Sequence, residues 1–364
     1  MIDVPQFIFV TCQVGAELAV KREAARRHPG FRPAYSRPGF LTFKLPEGHE
    51  LADDFKLRCV FARSHGFALG GARGESPAEM AREAWRLFGE RSCNRIHVWP
   101  RDLASPGHRG FEPAVTDECR QVRELLWKNR PATAIAPTDD DTSPARRGEL
   151  VLDCVLVDPG QWWIGFHRAR GFASRWPGGL IGLQLPADAV SRAWLKMEEA
   201  LRWSRLPIPS GARVAEIGSA PGGASQALLA RGFFVTGIDP AEMAPVVLEH
   251  PRFRHIRRRA IQVRRREFRK IRWLTADMNV APKYTLDVVE GIVTHPEVRV
   301  RGMLLTLKLF DWEFADQLPE YLARIRSWGY EVVRARQLCH NHQEVCVAIM
   351  RRGRPAVRPN PRGK

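Results

Sequence analysis

Short apolar blocks recur through the first half of the chain, and amphipathic stretches of helical period lie between them. "FIFVTC" from Phe7 reads as a strand and "GAELAVKREAARRH" as an amphipathic helix. Extended segments follow around Tyr35 and at "GFLTFKL", then an apolar segment near "CVFARSHGFAL". A helical stretch from Ser76 to about Glu90 precedes the short strand "RIHVWP". A second helical run, "VTDECRQVRELLWK", leads into a loop of Pro, Thr and Asp from Arg130 to Arg147. "ELVLDCVLVDPGQWWIGFHRA" reads as a β-hairpin turning at Asp158 to Gly160. These elements predict an α+β region over residues 1–175, with one or two small sheets covered by helices.

"RGFASRWPGGLIGLQLPAD", from Arg170 to Asp188, is rich in Gly and Pro and has no sustained period, so a domain boundary is placed there. Beyond it, "ARVAEIG", "FFVTGID", "IRWLTAD" and "GMLLTLKLF" are strands separated by helix-length segments, the pattern of a parallel α/β sheet. "EVVRARQL" and "EVCVAIMRR", joined by "CHNHQ", are close enough to pair as an antiparallel hairpin at the end of that sheet. This second domain spans 186–352. The final stretch, 353–364, carries basic residues, no acid and no apolar period, and is expected to be a disordered tail.

Composition narrows the classes. A chain of 364 residues, 44% hydrophobic and 27% charged, is globular and long enough for two or three domains. It has no apolar run of membrane-spanning length and no basic segment ahead of its first short apolar run, so a cytoplasmic protein without a membrane span is expected. Seven scattered cysteines, none spaced as CxxC, fit reduced thiols better than a disulfide framework or a zinc ribbon. A net charge of +17 indicates a polyanionic partner, since cations near phosphates gain affinity by releasing counterions; a generally arginine-rich proteome is the bland alternative. Only nine of the 57 basic residues are lysines. A Lys inside a structured apolar segment therefore needs a reason that Arg cannot supply.

The stretch "VAEIGSAPGGASQALLARGFFVTGID", Val214 to Asp239, carries a strand through a glycine loop into a helix, presenting backbone N–H groups at the strand tip. A P-loop is excluded, because Gly218 to Ser225 reads GxxxxGAS and lacks the phosphate-reaching Lys. The dinucleotide register is excluded too, with glycines at 218, 222 and 223. A ligand without pyrophosphate remains, and Asp239 at the end of the next strand can accept hydrogen bonds from ribose hydroxyls.

"EIGSAPGGASQALL" resembles the S-adenosylmethionine loop of the FtsJ-type ribose 2'-O-methyltransferases, usually D-L-G-x-x-P-G-G followed by an aromatic. Glu216 stands for the usual Asp, and Ala224 for the aromatic. The resemblance implies an S-adenosylmethionine site at Gly218, Ser219, Ala220, Pro221, Gly222, Gly223 and Asp239. Methyl transfer to a ribose hydroxyl needs that hydroxyl aligned and its proton removed. Arg does not give up its proton, whereas a desolvated Lys can. Lys308 lies near the end of "GMLLTLKLF", Lys196 in "SRAWLKMEEAL", Asp277 at the end of "IRWLTAD" and Glu344 at the start of "EVCVAIM". This order is similar to the Lys-Asp-Lys-Glu tetrad of that family, which implies Lys308 as general base, Asp277 and Lys196 as tuning and positioning groups, and Glu344 completing the network. Taken singly, Asp277 could be a cap, Glu344 a solvated strand end and Lys308 a structural residue.

"LPADAVSRAWLKMEEAL" and "ARQLCHNHQEVCVAIMRR" resemble the RlmM family, which 2'-O-methylates a cytidine of 23S rRNA, and "CQVGAELAVKREAA" resembles the opening of its THUMP RNA-binding domain. The expected fold class is then α/β: a Rossmann-like methyltransferase domain, with a mostly parallel seven-stranded sheet and a C-terminal antiparallel hairpin. A ferredoxin-like and THUMP-like α+β RNA-binding region precedes it. The resemblance adds Ser191 and Asp277 to the cofactor site and makes 23S rRNA or its precursor the partner of a monomer. Where the family has an acid near the adenine, the text around Arg259 has none.

Pro251 to Trp273 carries eleven Lys or Arg against one Glu, read as an rRNA phosphate track through Arg264, Arg265, Arg266 and Arg269, or else as a solvated helix face. His340, His342 and Glu344 are an accidental spacing, and no metal is expected. No GxSxG elbow occurs. Trp162 and Trp163 could stack on bases, although adjacent strand residues face opposite sides and one should be core. Two rivals stay open: the same chemistry on a different RNA, and a catalytically impaired RNA-binding ribosome assembly factor.

Overall fold

The computed structural model describes residues 5–48, 50–132, 134 and 144–352. The basic tail and residues 135–143 of the Pro, Thr and Asp loop lie outside the described residues. The chain divides into two compact units, one of 1–187 with 336–343 and one of 188–335 with 344–364.

In the first unit, seven strands form one mixed sheet: β1 (Phe7–Thr11), β2 (Arg32–Arg37), β3 (Phe40–Lys44), β4 (Ser64–Arg73), β5 (Arg95–Pro100), β6 (Leu150–Asp158) and β7 (Gln161–Arg168). Their order is β2-β3-β1-β4-β7-β6-β5. Only β5 and β6 pair in parallel; the other neighbours are antiparallel. Helices α1 (Glu17–Arg27), α2 (Pro77–Phe88) and α3 (Asp117–Lys128) accompany them. The start of α2 is set by Ser76, whose side chain accepts from the Glu79 N–H, with Pro77 fixing the first turn. Trp85 on α2 donates its indole N–H to the Leu126 carbonyl at 2.8 Å, tying α2 to α3. The apolar runs of β1 and β3 are buried almost throughout, and Phe9, Phe40 and Trp99 centre the core. Trp162 is core, while the Trp163 ring packs on Tyr35 at 5.0 Å and on Phe40 at 5.3 Å.

Segment 336–343, which the sequence reading kept inside 186–352, counts with this first unit. The Gln337 backbone N–H donates to the Val60 carbonyl at 2.9 Å and its side chain to that of Gln13 at 2.6 Å. His340 pairs with Glu112 at 2.8 Å.

Two buried ion pairs stiffen the unit. Arg63 grips Asp102 with 2.6 and 2.7 Å contacts and donates to the Gly178 carbonyl at 3.2 Å. His167 Nδ1 meets Asp153 Oδ2 at 2.6 Å and its Nε2 meets the Ser174 carbonyl at 2.6 Å. Both ring nitrogens face acceptors, an arrangement that favours the imidazolium. Burial favours the neutral ring, but Asp153 and the Ser174 carbonyl outweigh it and raise the His167 pKa. With His97 these residues form a buried group whose ligand atoms lie within 4.8 Å of one another. Burial also pushes His97 well below its ordinary range and His65 down to about 4.

A pH dependence follows with opposite signs. The stabilisation from His167 is complete below the ordinary histidine pKa and lost as pH rises through its raised value. His65 and His97 stay neutral when folded, so stability also falls as acid protonates the unfolded chain. The melting temperature of the first unit is expected to fall on both sides of a near-neutral maximum. His167→Ala leaves the Asp153 carboxylate buried and unpaired and should cost about 3–5 kcal/mol, read as a lowered melting temperature.

The second unit holds α4 (Ala193–Ser204), β8 (Arg213–Ile217), α5 (Gly223–Ala230), β9 (Phe234–Ile238), α6 (Pro245–Leu248), β10 (Phe253–Ile256) and β11 (Trp273–Ala276). It continues with α7 (Pro282–Val293), β12 (Gly302–Lys308), α8 (Leu318–Ser327), β13 (Val332–Arg336) and β14 (Glu344–Met350). The strand order is β10-β9-β8-β11-β12-β14-β13. β10 through β12 are parallel and β14 runs antiparallel to β12. The chain crosses over at β8, where β9 lies to one side and β11 to the other, and such switch points open a crevice at the carboxyl ends of the strands. The basic run 251–273, weighed above as a helix face, instead contains β10 and two short 3-10 turns at 260–262 and 265–268. No helix among the described residues is long and apolar enough to cross a membrane.

Candidate active site

The glycine loop leaves β8 at the switch point. Gly218 has φ +78°, and a Cβ there would lie 2.6 Å from the Asp277 carbonyl oxygen, so only glycine fits. A Cβ on Gly223, the first residue of α5, would come within 2.2 Å of Ser191 Oγ. That Ser191 hydroxyl is buried and without a hydrogen-bond partner. Asp239 accepts from the Ala220 N–H at 3.2 Å and the Ala241 N–H at 2.8 Å, holding the loop against the end of β9. Ser219 Oγ lies 3.5 Å from Met243 Sδ. Beneath the loop, Ser225 donates to the buried Glu216 carboxylate at 2.5 Å. Burial pushes Glu216 up to about 8, against the Ser225 hydrogen bond and helped by Asp277 and Asp239. Ala224, where a large ring was expected from the resemblance, is buried.

On the other side of Gly218 four side chains close a ring. Lys196, on the first turn of α4, reaches Asp277 Oδ2 at 2.5 Å and Glu344 Oε1 at 3.1 Å. Lys308, the last residue of β12, reaches Asp277 Oδ1 at 3.0 Å and also pairs with Glu344 Oε2. Strand register brings Lys308 and Glu344 together, as they are opposed partners at the β12–β14 edge. The formal charges cancel, which is what permits a ring this buried. Glu344 is only 2% exposed, while Lys308 keeps 18% of its side-chain surface open. Burial lowers the Lys308 pKa, yet Glu344 and Asp277 together outweigh it and hold the ammonium well above its ordinary value. Burial likewise raises Glu344, and Lys196 and Lys308 overcome it to pull the carboxyl well below the usual range.

The four arginines nominated from the sequence are not equivalent. Arg269 is ion-paired with Glu297, Arg266 lies 3.7 Å from Glu267, and Arg265 is half-buried, donating to the Val263 carbonyl at 3.3 Å. Arg264 is exposed and carries no ion pair among the described residues, as do Arg258, Arg259 and Lys270, which were not nominated. Their cue was available in the sequence: they flank no acid, whereas Arg266 adjoins Glu267.

Comparison with known proteins bears on the chemistry. Residues 189–320 match the FtsJ-like methyltransferase family. The chain is 32% identical over 356 residues to the ribosomal RNA large subunit methyltransferase M of Halorhodospira halophila, covering 94% of this chain and 97% of that one. It is 26% identical over 369 residues to the protein of the same name from Teredinibacter turnerae, covering 92% and 96%. The match covers nearly the whole of both chains, so the chain belongs to the ribosomal RNA large subunit methyltransferase M family and is a methyltransferase.

Proposed function

We propose that this protein 2'-O-methylates the ribose of a cytidine in 23S rRNA or its precursor, using S-adenosylmethionine. The closed ring of Lys196, Asp277, Lys308 and Glu344, set beside a glycine loop at the sheet's switch point, carries the reading. The loop residues fit the cofactor, since Ser191 offers an unpartnered buried hydroxyl, Gly218, Gly222 and Gly223 leave no room for side chains, and Asp239 has acceptor capacity left for ribose hydroxyls. Ser219, Ala220 and Pro221 complete that wall. S-adenosylmethionine, when bound, supplies an electrophilic methyl group. Lys308 in its neutral form takes the 2'-hydroxyl proton at Nζ, while Lys196 and Asp277 orient the amine and the ribose. Because the resting ring holds Lys308 as an ammonium, the rate should rise with pH into the alkaline range. The first unit, THUMP-like by resemblance, places the RNA.

Tritiated methyl transfer to rRNA from a strain lacking the gene tests the activity, and mapping the modified nucleotide tests the target. Incorporation at another RNA would move the assignment within the class; none would favour an assembly factor. Binding should weaken steeply with salt. Arg264→Ala and Lys270→Ala should each weaken RNA binding and reduce the log–log salt slope by about one phosphate contact. Arg269→Ala, whose charge Glu297 already offsets, should change the slope least.

A further inference from the structure

We infer that Phe310 is a stacking platform for the unstacked base of the nucleotide whose ribose is methylated, an inference that rests on the function proposed above. Phe310 is 57% exposed, one of the few large apolar side chains of the unit left open. It lies two residues past Lys308 at the carboxyl end of β12. Leu309 between them is fully buried, whereas Lys308 keeps some open surface and Phe310, in the bend just past the strand, is exposed, so both open side chains stand at the same strand end. Asp311 accepts from the Glu313 N–H at 3.0 Å and caps the turn that follows, holding the backbone next to the ring. No aromatic or cationic partner covers the Phe310 ring among the described residues.

The chemistry of the substrate supplies the reason for an open ring there. Lys308 is recessed, and a 2'-hydroxyl can reach a recessed amine only if its nucleotide leaves the stack of its neighbours. Unstacking exposes both faces of the base. The base is attached one carbon from the one bearing the 2'-hydroxyl, and two residues of chain span at most about 7 Å. A base whose ribose meets Lys308 therefore falls within reach of Phe310. A phenyl ring offers a face and no hydrogen bonds, so it supports any base and reads none.

The test compares an rRNA fragment carrying its target base with one that is abasic at that ribose, in wild type, Phe310→Ala and Phe310→Tyr. Loss of the base should lower wild-type kcat/KM on the order of tenfold or more, the scale of one base–aromatic stack. Phe310→Ala should lose a similar factor on the intact fragment and nothing further on the abasic one, and Phe310→Tyr should restore activity. Phe234→Ala, which removes another exposed phenylalanine at the start of β9 and so at the opposite end of the sheet, should behave as wild type. Equal loss by Phe310→Ala on both fragments, or no loss, overturns the platform alone. A wild type that transfers no methyl to the ribose brings down the function and the platform with it.

Discussion

Lys308→Ala is expected to lower methyl transfer by about 10²–10⁴-fold, the range a positioned general base contributes, while cofactor affinity stays near wild type. The substitution removes the only ring amine with appreciable open surface that also terminates a strand. It leaves Asp277 and Glu344 sharing Lys196, so some loss of stability accompanies the loss of rate. Lys308→Met, which preserves much of the volume, separates the two effects. Lys308→Arg should not rescue, because a guanidinium restores the charge but cannot accept a proton at accessible pH. Single-turnover incorporation of labelled methyl measures the step, and calorimetry measures the cofactor. An alanine variant with the wild-type single-turnover rate would remove Lys308 from the proton transfer.

Glu344→Gln should act on the same amine from the opposite direction. The Glu344 carboxylate favours the ammonium form of Lys308, so its removal lowers the Lys308 pKa and raises the neutral fraction at a given pH. The alkaline rise of kcat/KM should therefore move to lower pH, even as the maximal rate falls because the amine is less well held. Breaking this nearly inaccessible pair should also cost about 3–5 kcal/mol in unfolding free energy, seen as a drop in the melting temperature of the second unit. A profile that keeps its midpoint while the rate falls would show that Glu344 only holds the strands together. Glu344→Asp, keeping the charge on a shorter arm, should leave the midpoint closer to wild type than the amide does.

The charged ring was legible as a set only through the resemblance to a known tetrad, with the placement of Lys308 and Asp277 as the local cue. Lysine is scarce in this chain, Lys308 closes an otherwise apolar strand, and Asp277 follows another. What no local pattern carries is which oxygen meets which amine, since that depends on β14 lying next to β12 and opposing Glu344 to Lys308. The strand β10 was missed because its arginine and histidine interrupt any clean alternation, and an edge strand can expose both faces. In the first unit the parallel pairing of β5 with β6 joins segments more than fifty residues apart, beyond the reach of hairpin rules. The Asp153 pair did leave a trace, an acid in the middle of "LVLDCVLVD", where burial demands a partner. The allegiance of 336–343 left none, for a short connection between two strands looks alike whichever unit it joins.

β14 is the last strand of its sheet in sequence and yet not an edge, for it slots between β12 and β13. During synthesis the chain emerges from the N-terminus, and until that strand is available two lysines face a single carboxylate. An uncompensated cation resists being buried, so the incomplete sheet has no means of closing its charged ring. Under the function proposed above, catalytic competence then arrives with β14 rather than growing with the chain. A ribosome that is still making this chain holds a copy whose ring of charges is open.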